Sequence, residues 1–295
     1  MPLKIDSELY CLTLGMPNNL LHDWNLNMIS TNTLISQLKH LDLQSREVIM
    51  VHASMRAIGK VLGGPDQVHQ AIMDAISPGG TLMMYVGCEP EYEAVGRGKF
   101  TTDEENTIYQ YCPAFNSATA RASRDYGILA EFFRSWPGVI CSSNPGARIA
   151  ALGDKASWLV ANHPLNYGYG SGSPLAKLYE NQGKILILES DLDQVTILHY
   201  AEHIAPIKEK RIKRFKVPLI KDGQRVWFDI EEYDTSVGIR QWPERFFATI
   251  VEKFIEEYRL QAKRIGQAKS YLLDVKSLVD FAVPIFIQAA DKYSC

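Results

Sequence analysis

Several classes of function are excluded by what this chain lacks. Basic charge is not in excess: 31 Lys and Arg stand against 34 Asp and Glu, for a net charge of −3. The electrostatic footprint of a nucleic-acid binder is therefore missing. Cysteine is sparse, and Cys11, Cys88, Cys112, Cys141 and Cys295 are odd in number with no C-x-x-C pair. A disulfide framework or zinc knuckle is not expected, and a reducing, cytoplasmic setting fits. No apolar run approaches the ~18 residues of a membrane span. Lys4 is followed by Asp6 and Glu8 with no long apolar core, so a signal peptide is not expected either. Neither a Walker A nor a G-x-G-x-x-G sequence occurs, and nothing repeats.

What remains is a globular composition, 46% hydrophobic and 22% charged. Residues 1–28 lack periodicity, and 1–30 read as an appended arm, with one domain over 31–295. Glu47–Val51, Thr81–Val86, Arg148–Leu152 and Lys184–Leu188 read as strands, the first, second and last as buried ones. Helical patterns separate them. Asp222-Gly223 between two alternating stretches is a hairpin signal, and Pro284 should break or kink the last helix. Together these predict an α/β domain with an antiparallel insertion.

The first strand runs into His52-Ala53-Ser54-Met55-Arg56 and then Val61-Leu62-Gly63-Gly64-Pro65. A strand, a glycine-bearing turn and a helix N-terminus bring free N–H groups to one point, a phosphate cradle or a plain connection. Gly87–Asn116 is long and polar, with carboxylates at Glu89, Glu91, Glu93, Asp103, Glu104 and Glu105. Connections of that length are usually functional or disordered. The basic run Lys208–Lys216 reads as a solvated face or a phosphate contact.

Lys184–Ala205 carries the densest chemistry. The strand Ile185–Leu188 ends in Glu189-Ser190-Asp191, and a helix starting near Thr196 carries His199, Glu202 and His203. The i,i+3 and i,i+4 spacings put these on neighbouring positions of one face. Three readings stand side by side: an ordinary helix end, an H-x-x-E-H zinc site, and a metal-free His–Glu pair. In the last, the carboxylate orients an imidazole that takes a proton from a nucleophile.

Four blocks carry a resemblance: VHASMRAIG…GG (Val51–Gly64), GTLMMY (Gly80–Tyr85), GSPL (Gly172–Leu175) and DQVTILHYAE (Asp193–Glu202). Their order and spacing resemble the aminoglycoside 3-N-acetyltransferase family over about Thr33–Ile287. The resemblance implies a three-layer α/β/α fold with a central mixed sheet and a hairpin insertion, distinct from GNAT acetyltransferases. It implies transfer of acetyl from acetyl-CoA to the 3-amino group of a 2-deoxystreptamine antibiotic, which inactivates the drug. His199 matches the family's general base and Glu202 the residue that orients it. His52, Ser54, Met55, Arg56, Val61, Gly63, Gly64, Ser173 and Thr196 match positions around CoA. A polycationic substrate calls for carboxylates, with Glu89, Asp103, Asp193 and Asp234 as candidates and Tyr85 as a wall. No metal is expected, and a homodimer is left open.

The chain departs from the family at Asn144, where Ser-Ala-His-Pro is usual, at Asn116-Ser117 in place of Asp-Pro, and at Glu189 in place of glycine. Rival readings are the zinc peptidase, a Cys–His acyl-enzyme using Cys88 or Cys112, and a non-catalytic aminoglycoside binder.

Overall fold

The computed structural model describes residues 28–88, 90–235 and 238–292. Glu89, Cys11, Cys295 and the arm up to residue 27 therefore lie outside the described residues. Of the arm's last residues, Ile29 forms a parallel bridge with Val61, and Ser30 caps the helix Thr31–His40.

The three most apolar runs become the centre of a seven-stranded sheet: β1 (Val48–Ala53), β2 (Thr81–Tyr85) and β5 (Lys184–Leu188). β1 lies parallel to both neighbours, with Met50 opposite Met83 on one side and Ile185 on the other. β3 (Ile140–Cys141) and β4 (Ile149–Gly153) extend one edge antiparallel, and β9 (Ala268–Asp274) with β8 (Lys263–Ile265) extend the other. The sheet is thus mixed.

Alternation along the strands splits the core in two. Ile49, Val51, Leu82 and Met84 pack beneath the helices Thr31–His40, Pro65–Ile76 and Gly127–Arg134. Met50, Met83, Ile185 and Ile187 face the helices Pro174–Glu180, Ile197–Ile204, Phe246–Glu257 and Val275–Lys292. The result is three layers. The chain leaves β1 toward a helix on one face and leaves β5 toward a helix on the other. A crevice opens where adjacent parallel strands diverge in this way, beyond their carboxyl ends.

Two expectations need correction. The Val275–Lys292 helix continues through Pro284 without a break. Leu278, Val279, Ala282 and Phe286 are all fully buried, so core packing on both sides of the proline holds the helix together. Nor is Gly87–Asn116 a long structureless loop. It folds into a short 3₁₀ turn (Glu91–Ala94) and a helix (Thr102–Tyr111) opened by a Thr101–Glu104 capping box. This segment packs on the hairpin of β6 (Ile212–Lys221) and β7 (Gln224–Tyr233), where Tyr92 joins Phe215, Val217 and Ile230. The hairpin turn falls at Asp222-Gly223, both at positive φ (50° and 77°) as a primed turn requires. The basic run is largely consumed by ion pairs: Arg211 with Asp234, Lys213 with Glu93, Arg214 with Glu231, and Lys216 with Asp229.

Candidate functional site

β5 ends against a polar turn that is itself well tied. Glu189 sits at positive φ (46°), and its carboxylate accepts from the Lys269 N–H at 2.6 Å. Asp191 caps a 3₁₀ turn (Leu192–Gln194), and the helix Ile197–Ile204 follows with Thr196 at its N-cap. Six of its eight residues are buried, Glu202 completely. His199 is one of the two that are not.

The pair expected from the i,i+3 spacing forms, with His199 Nδ1 2.8 Å from Glu202 Oε1. A buried carboxylate with nearby donors accepts, so in the neutral ring Nδ1 carries the proton and Nε2 keeps its lone pair. The second carboxylate oxygen accepts from the Trp242 indole N–H, also at 2.8 Å. Tyr169 and Phe247 flank the imidazole, each with ring centroids 4.9 Å away.

Two cavities meet at His199. The first, about 340 Å³, is lined by His52, Tyr85, Glu93, Tyr169, Ser190, Asp193, Thr196 and Lys213 among others. The second, about 550 Å³, is walled by Glu202, Trp242, Glu244, Arg245 and Phe247. His199, Asp193 and Thr235 line both. His52 reaches the first cavity because period-two alternation puts it on the same face as Met50, the face the His199 helix covers. Burial pushes His52 down to about 4, so its ring is neutral near pH 7. Its Nε2 and the Ser190 hydroxyl are buried without a hydrogen-bond partner among the described residues. Burial also holds the Tyr85 and Tyr169 phenols far above the ordinary tyrosine range, hence protonated. Tyr85 donates to the Gly146 carbonyl at 2.8 Å, leaving its oxygen to accept from Tyr169, also 2.8 Å away. Asn144, the departure from Ser-Ala-His-Pro, closes the loop bearing Gly146. Its Oδ1 accepts from the Gly146 and Ala147 N–H groups, and its Nδ2 donates to the Pro164 carbonyl.

Of the residues singled out from sequence, His52, Tyr85, Asp193, Thr196, His199 and Glu202 come together here. Others do not line either cavity. Asp103 is exposed in the first turn of the Thr102–Tyr111 helix. Asp234 is 7% exposed and bridges Arg97 and Arg211. Ser173 is fully buried, and its hydroxyl caps the Pro174–Glu180 helix by accepting from the Ala176 N–H. Ser54 likewise caps the short helix Met55–Ile58, placing Met55 and exposed Arg56 on it. Val61 is buried against Ile29. Gly63 and Gly64 hold positive φ (80° and 73°) and lead into the Pro65–Ile76 helix, as a cradle at its N-terminus needs.

His203 does not join His199. It lies 3.3 Å from Glu232 on β7, and among the described residues no three His, Cys, Asp or Glu side chains are grouped to hold a metal ion. Cys88 and Cys112 line neither cavity, and burial raises the Cys112 thiol, against a resident thiolate. Sequence reasoning missed Glu93, Tyr169, Ser190, Lys213 and Trp242 as site residues. Glu93 was visible as one of several carboxylates; the others carry no spacing relation to His199.

A family model described as aminoglycoside 3-N-acetyltransferase matches residues 50–287. Aminoglycoside N(3)-acetyltransferase III of Pseudomonas aeruginosa is 38% identical over 261 residues, covering 88% of this chain and 94% of the relative. Aminoglycoside N(3)-acetyltransferase IX of Micromonospora chalcea is 33% identical, covering 84% and 91%. Among solved structures, a binary complex of AAC-IIIb with CoASH aligns with a TM-score of 0.83 at 40% identity, over 88% of this chain and 97% of that one. Sisomicin-bound AAC-VIa aligns at 0.81 and 32%, over 88% and 98%. With the family model matching residues 50–287 and relatives above 30% identity matched over most of each chain, this chain belongs to the aminoglycoside 3-N-acetyltransferase family.

Proposed function

We propose that this chain transfers acetyl from acetyl-CoA to the 3-amino group of a 2-deoxystreptamine aminoglycoside, directly, in a ternary complex with His199 as general base. The observation that carries the reading is the place of His199. Its Nδ1 is fixed by a fully buried carboxylate, and its ring is a shared wall of two cavities. A base that must serve an amine arriving beside a thioester belongs at such a junction. The names of the relatives support the acyl transfer, and the CoASH and sisomicin complexes support the two ligands.

In this reading Nε2 takes a proton as the amine nitrogen attacks the thioester carbon. The C–N bond forms, the C–S bond breaks, and the imidazolium can return its proton to the departing thiolate. The Ser190 hydroxyl and, in its Nε2–H tautomer, the neutral His52 ring face the first cavity and suit the negative charge that grows on the carbonyl oxygen. Glu93 and Asp193 supply carboxylates for a polycationic acceptor. The Gly63-Gly64 turn, Arg56 and the N-terminus of the Pro65–Ile76 helix suit the phosphates of CoA.

Mass spectrometry of an aminoglycoside panel incubated with enzyme and acetyl-CoA should find a singly acetylated product, with one free CoA thiol released per acetyl transferred. Binding of an aminoglycoside with no thiol release would instead identify a non-catalytic binder.

A further inference from the structure

We infer that Trp242 is a positioning residue for the His199–Glu202 pair, acting through its indole N–H; the inference rests on the reading of His199 as the base. Glu202 is 0% exposed, so its carboxylate depends on donors supplied by the protein. Two donors meet it, one on each oxygen: His199 Nδ1–H on Oε1 and Trp242 Nε1–H on Oε2, both at 2.8 Å. They come from different elements, the Ile197–Ile204 helix and the segment before the Phe246–Glu257 helix. The terminal torsion of a glutamate is soft, and one hydrogen bond leaves it free to swing. A second donor on the other oxygen fixes the carboxylate plane, and with it the direction in which His199 Nε2 points.

Trp242 is itself fixed. Its ring packs 5.2 Å from Phe246 and 5.5 Å from Phe286. Gly238, at φ +79°, makes room for it, since a Cβ there would come 2.1 Å from the indole Cδ1. The indole also has an electrostatic effect. By sharing the carboxylate's charge, it tempers how strongly Glu202 holds a proton on His199, which a base must release each turnover. Other charged or titratable groups face the pair. His203 shares the helix, Glu232 and Lys210 approach from β7 and the stretch before β6, and Tyr169 lies on the imidazole. Asp193, Glu93 and Lys213 line the first cavity, and Glu244 and Arg245 line the second. None of them is altered when only the indole N–H is removed.

The test replaces Trp242 by 3-benzothienylalanine, which exchanges the N–H for sulfur at constant shape, with Trp242→Phe as the genetically simple companion. Turnover should fall about tenfold while KM for each substrate stays within about threefold, the pattern of a lost transition-state interaction. The acid limb of the kcat–pH profile should move up by about one pH unit, the scale of one hydrogen bond to a charged group. In a His199→Ala background the same replacements should change the residual rate less than about twofold. An acid limb that stays in place or moves down overturns the inference, as does an equal loss in the His199→Ala background. Near-normal turnover of His199→Ala overturns the base reading and this inference together; an inactive His199→Ala enzyme beside an unmoved limb overturns this inference alone.

Discussion

Acidification from pH 7 to about pH 5 should cost this fold about 6 kcal/mol of unfolding free energy, and the main source is its buried imidazoles, three of them in the core. His69, His163 and His203 are 1%, 4% and 8% exposed. Burial pulls the first two from 6.5 to about 4 and the third to about 3, with the charge of His199 a smaller contribution at His203. The sign follows from proton uptake. Unfolded imidazoles bind protons below 6.5, whereas the folded ones stay neutral until pH 4 or below, so stability is present above 6.5 and drains away as pH falls through that window. Each group contributes about 2 kcal/mol at pH 5, or roughly 6 for three. Glu232 works the other way. Burial raises it from 4.5 to about 7, so the folded state takes up a proton first and regains about 2 kcal/mol. His52, depressed to about 4 at the cavity wall, adds about 2 kcal/mol more, for a net loss of about 6. A deficit of that size is a large part of an ordinary stability of about 5–15 kcal/mol. Urea unfolding followed by circular dichroism at the two pH values measures it directly. His69 packs between Phe133 and Trp136, and His69→Leu should remove about 2 kcal/mol of the pH dependence whatever it does to absolute stability. A wild-type difference below about 1 kcal/mol, or an unchanged pH dependence in His69→Leu, would refute the reasoning.

Four further outcomes concern catalysis. His199→Ala should lower kcat at least ~100-fold while leaving CoA affinity, measured by titration calorimetry, within a few-fold. Glu93→Gln should raise the aminoglycoside KM and weaken its rise with salt, because a carboxylate in the cavity concentrates cations in a field that ions screen. Asp103→Asn, on an exposed helix turn outside both cavities, should change neither quantity. His52→Phe and Ser190→Ala should each reduce kcat by about 100-fold with little change in KM if these donors meet the oxyanion; steady-state kinetics on folded variants decides this.

The central strands were legible because each is an unbroken apolar run, and the His–Glu pair because a helix makes i,i+3 neighbours a local matter. The hairpin was legible from Asp222-Gly223. Reading Gly87–Asn116 as a loop overlooked a signal that is present, Thr101 with Glu104 three residues later. Trp242 and Tyr169 were out of reach for a different reason. Tyr169 meets His199, and Trp242 meets Glu202, only through tertiary contacts that no periodicity encodes. Polar residues near a site are ambiguous in another way. Ser173 and Ser54, expected around CoA, each accept a helix N–H at the hydroxyl, a local use that gives serine two readings in any sequence.

The shared wall between the two cavities has a pharmacological consequence. His199, Asp193 and Thr235 are the lining residues that the two spaces have in common. A bivalent molecule with one arm in each cavity would turn its second contact into an intramolecular event, and a short tether raises the effective concentration of that arm to about the millimolar range. Its avidity could exceed that of either arm by about a hundredfold or more without a single new contact. The tether would have to cross at the imidazole itself, so a substitution there that evades the compound would also remove the group on which the proposed transfer depends.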